Sequence, residues 1–444
     1  MPSKSLTVAL SALALGACTS PPPSTPAAEG PRVVRVVETD GGYGLTVDGE
    51  PFTIDGAGLE FGDIEALAAH GANSFRTWRT DNGQQTARAV LDEAHRHGLM
   101  VTMGLEIARE RPGQGRGVFG FDYGDEQAVA EQLERVRAEV LALKDHPALL
   151  MWGIGNELNL GAENPAVWSA VGEISDMIQE VDPNHPTTTM LAGVSRDIVD
   201  EIKVRAPGLD VLSVQFYADI VNLRRRLDDA GWDGPVVVTE WGATGHWESP
   251  QTPWGATVET TSSEKADLYR MRYETAIAGD PQILGSYVFL WGQKQERTPT
   301  WYGMFLPTGE ETETVDVMHE IWTGAPPQRR APRIGAVSLD GRGATDAIVL
   351  DPGQSVPATV ASTDPDGDAL RYAWEVREEQ TDLSEGGDDE SEPDLVPGVL
   401  ADADTAAPIL TAPAEPGAYR LFVYVYDGHD NAAHANIPFH VGAY

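Results

Sequence analysis

The sequence is poor in several things, and each shortage closes off a class of protein. It has a single cysteine, Cys18, in 444 residues, so no intrachain disulfide can form. Positive charge is scarce: 31 Lys and Arg stand against 69 Asp and Glu, a formal charge of −38. So acidic a chain is repelled by nucleic-acid phosphates, by anionic lipid and by acidic polysaccharides. A neutral glycan carries no charge to repel, and the acidity itself reads as solubility, of the kind a salty habitat demands. Long apolar runs are also missing. Leu6–Leu15 is too short to span a bilayer, and no other segment is long and apolar enough. No Gly-rich phosphate loop follows the first strand-like run, and no zinc-like cluster of His and Cys is present. No cofactor and no metal is therefore expected.

What is present begins with a leader. Lys4 opens a short charged start, Leu6–Leu15 follows, and the run ends in Leu15-Gly16-Ala17-Cys18. Residues 1–17 read as a signal peptide. The last four residues resemble a bacterial lipobox, which implies cleavage before Cys18 and lipidation of Cys18, placing the protein on the bacterial cell envelope. An ordinary signal peptide with an incidental cysteine is the alternative. Thr19 and Ser20, with no Asp, resemble lipoproteins sorted onward to an outer membrane. Residues 18–31, rich in Pro and Ser, read as a flexible tether.

Between residues 32 and 325 strand-like and helix-like segments alternate. Eight short apolar runs read as buried parallel strands: Phe52–Ala57, Ala72–Trp78, Leu99–Glu106, Leu149–Ile154, Thr187–Ala192, Val211–Phe216, Val236–Trp241 and Leu284–Trp291. Amphipathic segments separate them, the clearest being Asp125–Lys144 with Val129, Leu133, Val136, Val140 and Leu143 at helical spacing. Others are Thr86–His97, Trp168–Val181, Ile220–Ala230, Glu264–Ala278 and Glu313–Trp322. Eight such units predict an α/β fold, a (β/α)8 TIM barrel, with chemistry at the C-terminal strand ends; an open doubly wound sheet is the runner-up. Pro-rich residues 323–333 break the pattern. Residues 332–444 alternate in the manner of a small all-β immunoglobulin-like sandwich. The phrases DPDGDALRYAWEV and YRLFVYVYDG resemble PKD and cadherin-like modules. Glu378–Asp394 reads as an acidic mobile insertion. Asp364, Asp366 and Asp368 alternate within DPDGD, a spacing able to hold calcium but common in plain turns.

The fourth run ends in Asn156-Glu157 and the seventh in Glu240-Trp241. Strands four and seven face each other across a barrel mouth, so the two carboxylates can converge on one bound sugar. Glycoside hydrolysis needs such a pair: one protonates the leaving oxygen and the other attacks the anomeric carbon. Three motifs carry a resemblance over Pro51–Trp322: Gly71-Ala72-Asn73 into Phe75-Arg76-Thr77, His146-Pro147 through Asn156-Glu157, and Thr239-Glu240-Trp241-Gly242. They resemble clan A of the retaining glycoside hydrolases, most of all the barrel domain of family two. That resemblance implies Glu157 as acid/base and Glu240 as nucleophile. It implies Asn156 on the sugar 2-hydroxyl, Arg76 holding the nucleophile as an anion, Tyr217 hydrogen-bonded to the nucleophile, and Trp291 as an aromatic platform under the sugar. Trp78, Trp241, His246, Trp247 and Trp254 lie on or near the expected cleft, where aromatic faces stack on pyranose rings; core or rim packing is the alternative. Glu106 ends strand three and is either cleft-facing or a rim residue. His146 reads as a strand-entry residue.

The family pattern is not complete. Only residues 32–51 separate the tether from the first strand, where family two enzymes carry β-sandwich domains. Gln215 stands where related enzymes often have Asn. The expected substrate is a neutral β-linked polysaccharide or oligosaccharide of β-glucan or β-mannan type, hydrolysed with retention. A transglycosylase with the same residues, or a non-catalytic glycan-binding lipoprotein, are the alternatives. The C-terminal module, which carries no motif residue, is expected to be dispensable for chemistry.

Overall fold

The computed structural model describes residues 30–111, 120–384 and 387–444. The signal peptide, Cys18 and nearly all of the tether lie outside the described residues. The first described element is an antiparallel sheet that the sequence reading does not separate from the barrel. It comprises β1 (Val34–Thr39), β2 (Gly42–Val47) and β3 (Glu50–Phe52). Val34, Leu45 and Val47 share one buried cluster with Ile54, Met100, Leu150, Val211, Val237 and Leu284. Those six lie at or near the starts of barrel strands, so the small sheet seals the N-terminal end of the barrel. Backbone bonds from Val34 to Asn184 and from Tyr43 to Pro281 tie it there.

All eight expected barrel strands are present: β4 (Ile54–Gly58), β5 (Ser74–Arg76), β6 (Met100–Leu105), β7 (Leu149–Asn156), β8 (Thr187–Ala192), β9 (Val211–Gln215), β10 (Val236–Glu240) and β11 (Ile283–Val288). They pair in parallel in chain order and close through β11 on β4. Residues Leu149–Gly155 of β7 are all buried, as expected of a strand covered on both faces. Among the described residues eight α-helices surround them: α1 (Ile64–Ala69), α2 (Ala87–Arg96), α3 (Glu126–Leu143), α4 (Ala166–Val181), α5 (Arg196–Arg205), α6 (Leu223–Ala230), α7 (Ser262–Ala276) and α8 (Glu313–Thr323). Their starts follow local chemistry. Asp125 accepts from the amides of Gln127 and Ala128 at the head of α3, and Thr261 with Glu264 forms a capping box on α7.

The C-terminal residues form two four-stranded sheets, one in the order β12 (Arg333–Leu339), β14 (Ser355–Thr363), β17 (Ile409–Thr411), β16 (Leu400–Ala401). The other runs β13 (Ile348–Leu350), β19 (Ala432–Val441), β18 (Gly417–Tyr426), β15 (Arg371–Glu378). Leu339, Val356 and Val360 from the first meet Trp374, Val423 and Phe439 from the second in one apolar core, which makes a sandwich. In the DPDGD turn Asp364 accepts from the amides of Asp366 and Asp368, while Asp366 pairs with Arg330 at 2.6 Å.

This module is not a separate bead. All ten residues of β19 are buried, so its second face is covered as well as its first, and the barrel covers it. Arg420 donates to the Thr257 carbonyl at 2.8 Å, and the His434 amide to Ser262 Oγ at 3.0 Å. Beneath them Glu259 accepts from Lys265 and Asn436, from Thr298 at 2.6 Å and from Thr300 at 3.0 Å. The insertion expected to be mobile is also tied down. The Glu390 carboxylate accepts from Arg297 of the barrel and from the Ser384 amide, and Lys294 donates to the Gly387 carbonyl at 2.7 Å. The expectation of a dispensable module therefore meets a module that reaches the barrel mouth.

Candidate active site

Four polar side chains that meet at the mouth are the last residues of their strands: Arg76 of β5, Asn156 of β7, Gln215 of β9 and Glu240 of β10. Strand ends at one side of a closed barrel point at a common axis, and the bonds follow. Glu240 Oε1 accepts from Arg76 at 3.2 Å, from Trp78 Nε1 at 3.1 Å and from Gln215 Nε2 at 3.1 Å. Oε2 accepts from the Tyr217 hydroxyl at 2.9 Å. Asn156 Oδ1 accepts from Arg76 at 2.8 Å and Gln215 at 2.7 Å. Arg76 is fully buried and its guanidinium lies 4.4 Å from the Trp78 ring centroid, so this cation is fixed by bonds on one side and a π face on the other. Burial and the neighbouring Glu240 charge push the Tyr217 hydroxyl well above its usual range, which keeps it a donor.

Glu157 reaches the same space by a different route. Along a regular strand neighbouring side chains alternate, so Asn156 and Glu157 could not both face the mouth. The pairing of β7 with β8 is irregular between Gly153 and Asn156. Gly155 and Glu157 then adopt left-handed backbone, φ +72° and φ +52°, a conformation costly for a residue with a Cβ. The kink turns Glu157 inward after Asn156. Its carboxyl is pushed up to about 7, first by burial and then by the Glu240 charge, against the opposing charges of Arg109, Arg111 and Arg76.

Both glutamates line one cavity of about 460 Å3, walled also by Trp78, Tyr217, Phe289 and Tyr302. Trp78 sits edge-on to Phe289 at 5.8 Å, and Tyr217 packs edge-on to Phe289 at 6.1 Å and Tyr302 at 5.5 Å. Gly58 and Gly104 admit Trp78 to this box: a Cβ on Gly58 would lie 2.8 Å from its ring, and one on Gly104 within 2.8 Å of its Cα. Phe289 and Tyr302 were not anticipated. Phe289 lies in the apolar run Leu284–Trp291, where the bulkier Trp291 drew the assignment.

Trp241 is the clear correction. Trp241 is the residue after the end of β10, and its side chain lies on the helix side of the barrel while that of Glu240 faces the mouth. The indole is fully buried against Tyr269 and Tyr273 of α7, with ring centroids at 5.7 and 6.0 Å, and it holds a helix in place instead of a sugar. Trp291 borders the cavity, but its indole is enclosed by Phe305 and Trp322 and donates to the Asp63 carbonyl at 2.9 Å. His246 and Trp247 stand in a short 3-10 turn after β10; His246 is buried beside Glu296 at 3.4 Å, and Trp247 is exposed at the cavity rim. Trp254 packs on His440 and Tyr444 and lines a second groove that also contains Glu157, but not the cavity that holds both glutamates. Glu106 lines the cavity and pairs with Arg79 at 3.8 Å. His146 pairs with Asp92 at 3.0 Å and accepts from the Ala148 amide, the expected strand-entry role. Asp388, from the acidic insertion, lines the cavity and pairs with Arg111 at 3.4 Å.

Residues 55–246 match the family described as glycosyl hydrolases family 2, TIM barrel domain. The barrel is similar to this glycoside hydrolase domain over those residues. The match spans β4 nearly entire to β10 and includes Arg76, Asn156, Glu157, Tyr217 and Glu240. Among solved structures the chain is similar to Bifidobacterium dentium β-glucuronidase complexed with coumarin-3-O-glucuronide, at 18% identity and TM-score 0.52, over 66% of this chain and 50% of that one. It is similar also to Bacteroides uniformis β-glucuronidase 2 covalently bound to cyclophellitol-6-carboxylate aziridine, at 13% identity and TM-score 0.50, over 93% of this chain and 48% of that one. The chain thus spans about half the length of these structures, and at such identities the likeness is one of fold.

Proposed function

We propose that the protein is a retaining glycoside hydrolase of a neutral β-linked glycan, of β-glucan or β-mannan type. Glu240 attacks the anomeric carbon and Glu157 protonates the departing oxygen, then activates water. The observation that carries this is the unequal treatment of two carboxyls in one cavity. Glu240 accepts four donors, which aim it and compensate its charge. Glu157 is pushed up to about 7, so it holds a proton near neutrality, as a general acid must. Arg76 and Gln215 each bridge Glu240 and Asn156, so nucleophile and the expected 2-hydroxyl partner are set as one unit. Of the cations lining the cavity, Arg79 and Lys294 are paired with Glu60 and Glu296, and Arg109 faces the charges of Glu157 and Asp388. Their charge is compensated within the protein, which favours a neutral sugar over the glucuronides suggested by the similar folds.

Rescue by azide tests the assignment. Glu240→Gly leaves space beside the anomeric carbon, and azide entering there gives a product of inverted configuration. Glu157→Ala still forms the glycosyl-enzyme from a substrate with a good leaving group, and azide then gives retention. The same anomer from both variants would end the retaining mechanism; swapped anomers would reverse the two roles.

The leader supports a lipid anchor at Cys18, ahead of a tether, with a PKD-like or cadherin-like module later on the same chain. Labelled palmitate incorporated by the wild type and lost in Cys18→Ser is the expected result; equal labelling of both would remove the anchor.

A further inference from the structure

The 460 Å3 cavity is not isolated. A second and larger groove, about 1580 Å3, shares Glu157, Tyr217 and Trp247 with it. This groove contains Glu157 but not Glu240. One wall belongs to the barrel and the other to the C-terminal sandwich, through Glu378–Thr381, Leu383 and the start of β18. We propose that the groove between barrel and sandwich binds the leaving-group portion of the substrate, and that this portion is a neutral glycan of several sugar units.

The argument rests on the assignment of Glu157 as the acid, and it has three steps. The leaving oxygen departs on the side of the group that protonates it, and of the two glutamates only Glu157 lines the larger groove. Its volume exceeds the roughly 300–1,000 Å3 of an ordinary small-molecule site, so it suits an extended occupant. Its chemistry is that of a neutral one. Arg226 is paired with Asp219 at 2.7 Å, Arg420 with Glu379 at 2.7 Å, Arg297 with Glu390 and Arg111 with Asp388 at 3.4 Å. The cations along the groove are thus spent on the protein's own carboxylates, and an anionic chain would meet a compensated surface. Apolar faces remain for pyranose rings: Trp247 is 58% exposed where the cavities join, and Leu383 is 60% exposed on the sandwich side. The sandwich is held firmly enough to serve as a wall, by the Glu259 network and by Glu390 on Arg297.

The test compares substrates that differ only in the leaving group, using the full chain. The probes are aryl β-glucoside and β-mannoside beside β-1,4-glucotetraose and β-1,4-mannotetraose. The wild type should prefer the tetrasaccharide of its sugar to the aryl glycoside. Leu383→Asp puts a charge on the sandwich wall, far from any bond to Glu157 or Glu240. It should lower the ratio of tetrasaccharide to aryl kcat/KM about tenfold, chiefly through KM, because it removes a contact made equally in ground and transition state. Leu383→Met should restore the ratio. A ratio that does not move in Leu383→Asp, or a wild type that cleaves the aryl glycoside but no tetrasaccharide, overturns the groove assignment and leaves the two glutamates standing. A wild type inert on all four probes overturns the substrate reading and the groove together.

Discussion

Two of the buried charge clusters in this molecule look alike until their surroundings are compared. At the barrel mouth Arg76 is bonded to Glu240 and Asn156, all of them at strand ends. At the seam between barrel and sandwich Lys265 is bonded to Glu259, which also takes Asn436, Thr298 and Thr300. Each centres on a cation and a carboxylate of at most 5% exposure. Among the described residues the seam holds no second carboxyl raised beside the pair: its Glu259 is held down at about 2, where the Lys265 charge overcomes burial, and burial holds His434 down at about 3. The mouth does have one, because Glu157 is raised to about 7 and opens on a cavity. Burial and pairing alone therefore do not mark a functional site. A titratable group left near neutrality beside a paired one, with room for a ligand, does.

The sharpest way to break the comparison is to damage each cluster and read both activity and stability. Glu240→Gln should lower kcat by roughly 10⁴–10⁶-fold, as losing a nucleophile does, with the enzyme still folded by circular dichroism. Lys265→Met should do the reverse. It strips the cation from a buried pair and is expected to cost about 3–5 kcal/mol of stability, seen as a lower Tm, while folded protein keeps kcat within a few-fold. The seam should also make the protein acid-labile. Glu259 and His434 both titrate lower in the folded state than their ordinary 4.5 and 6.5. Their contributions are present above those ordinary values and are lost as pH falls toward about 3 and then about 2. Urea melts between pH 7 and pH 3 should lose stability in wild type, and lose less in His434→Asn.

A smaller effect separates positioning from chemistry within the mouth. Arg76→Gln removes the charged donor shared by Glu240 and Asn156, and a loss of about 10²–10³-fold in kcat/KM is expected, the scale of one preorganised donor. Gln215→Ala, which removes a neutral donor from the same two acceptors, should cost less. If the two losses were equal, the charge of Arg76 would not matter and its role would be geometric.

How much of this was legible beforehand varies with what each segment has to bury. The barrel strands are covered on both faces, so they read as apolar runs, and Thr187–Ala192 was placed to the residue. Helix α5 buries only Val199 and Ile202 in RDIVDEIKVR, and α1 only Ile64 and Leu67 in six residues; neither leaves a strong periodic trace. Glu157 and Glu240 were singled out because motif and strand position agreed. Trp241 was misassigned because proximity in sequence hid that its side chain lies on the helix side of the barrel while that of Glu240 faces the mouth. Asp388 was missed for a deeper reason. It sits 148 residues after Glu240 in an insertion of low complexity, and only the packing of sandwich on barrel, which no local pattern records, brings it to Arg111.

That long-range contact supplies the smallest and most discriminating test. Activity should fall as pH rises through about 7, where Glu157 gives up the proton it must donate; the limb belongs to the interacting pair of glutamates. Arg111 is among the cations that hold the Glu157 carboxyl down, and Asp388 partly offsets its charge. Asp388→Asn lifts that offset, so the Glu157 carboxyl should titrate lower and the alkaline limb move down, by less than about one pH unit. Arg111→Gln removes the opposing cation, so the limb should move up. Both variants break the same ion pair and loosen the same insertion. If loosening alone governed the site, both limbs would move in one direction. Opposite shifts in the pH profile of kcat/KM are expected only if the sandwich acts on the acid through charge.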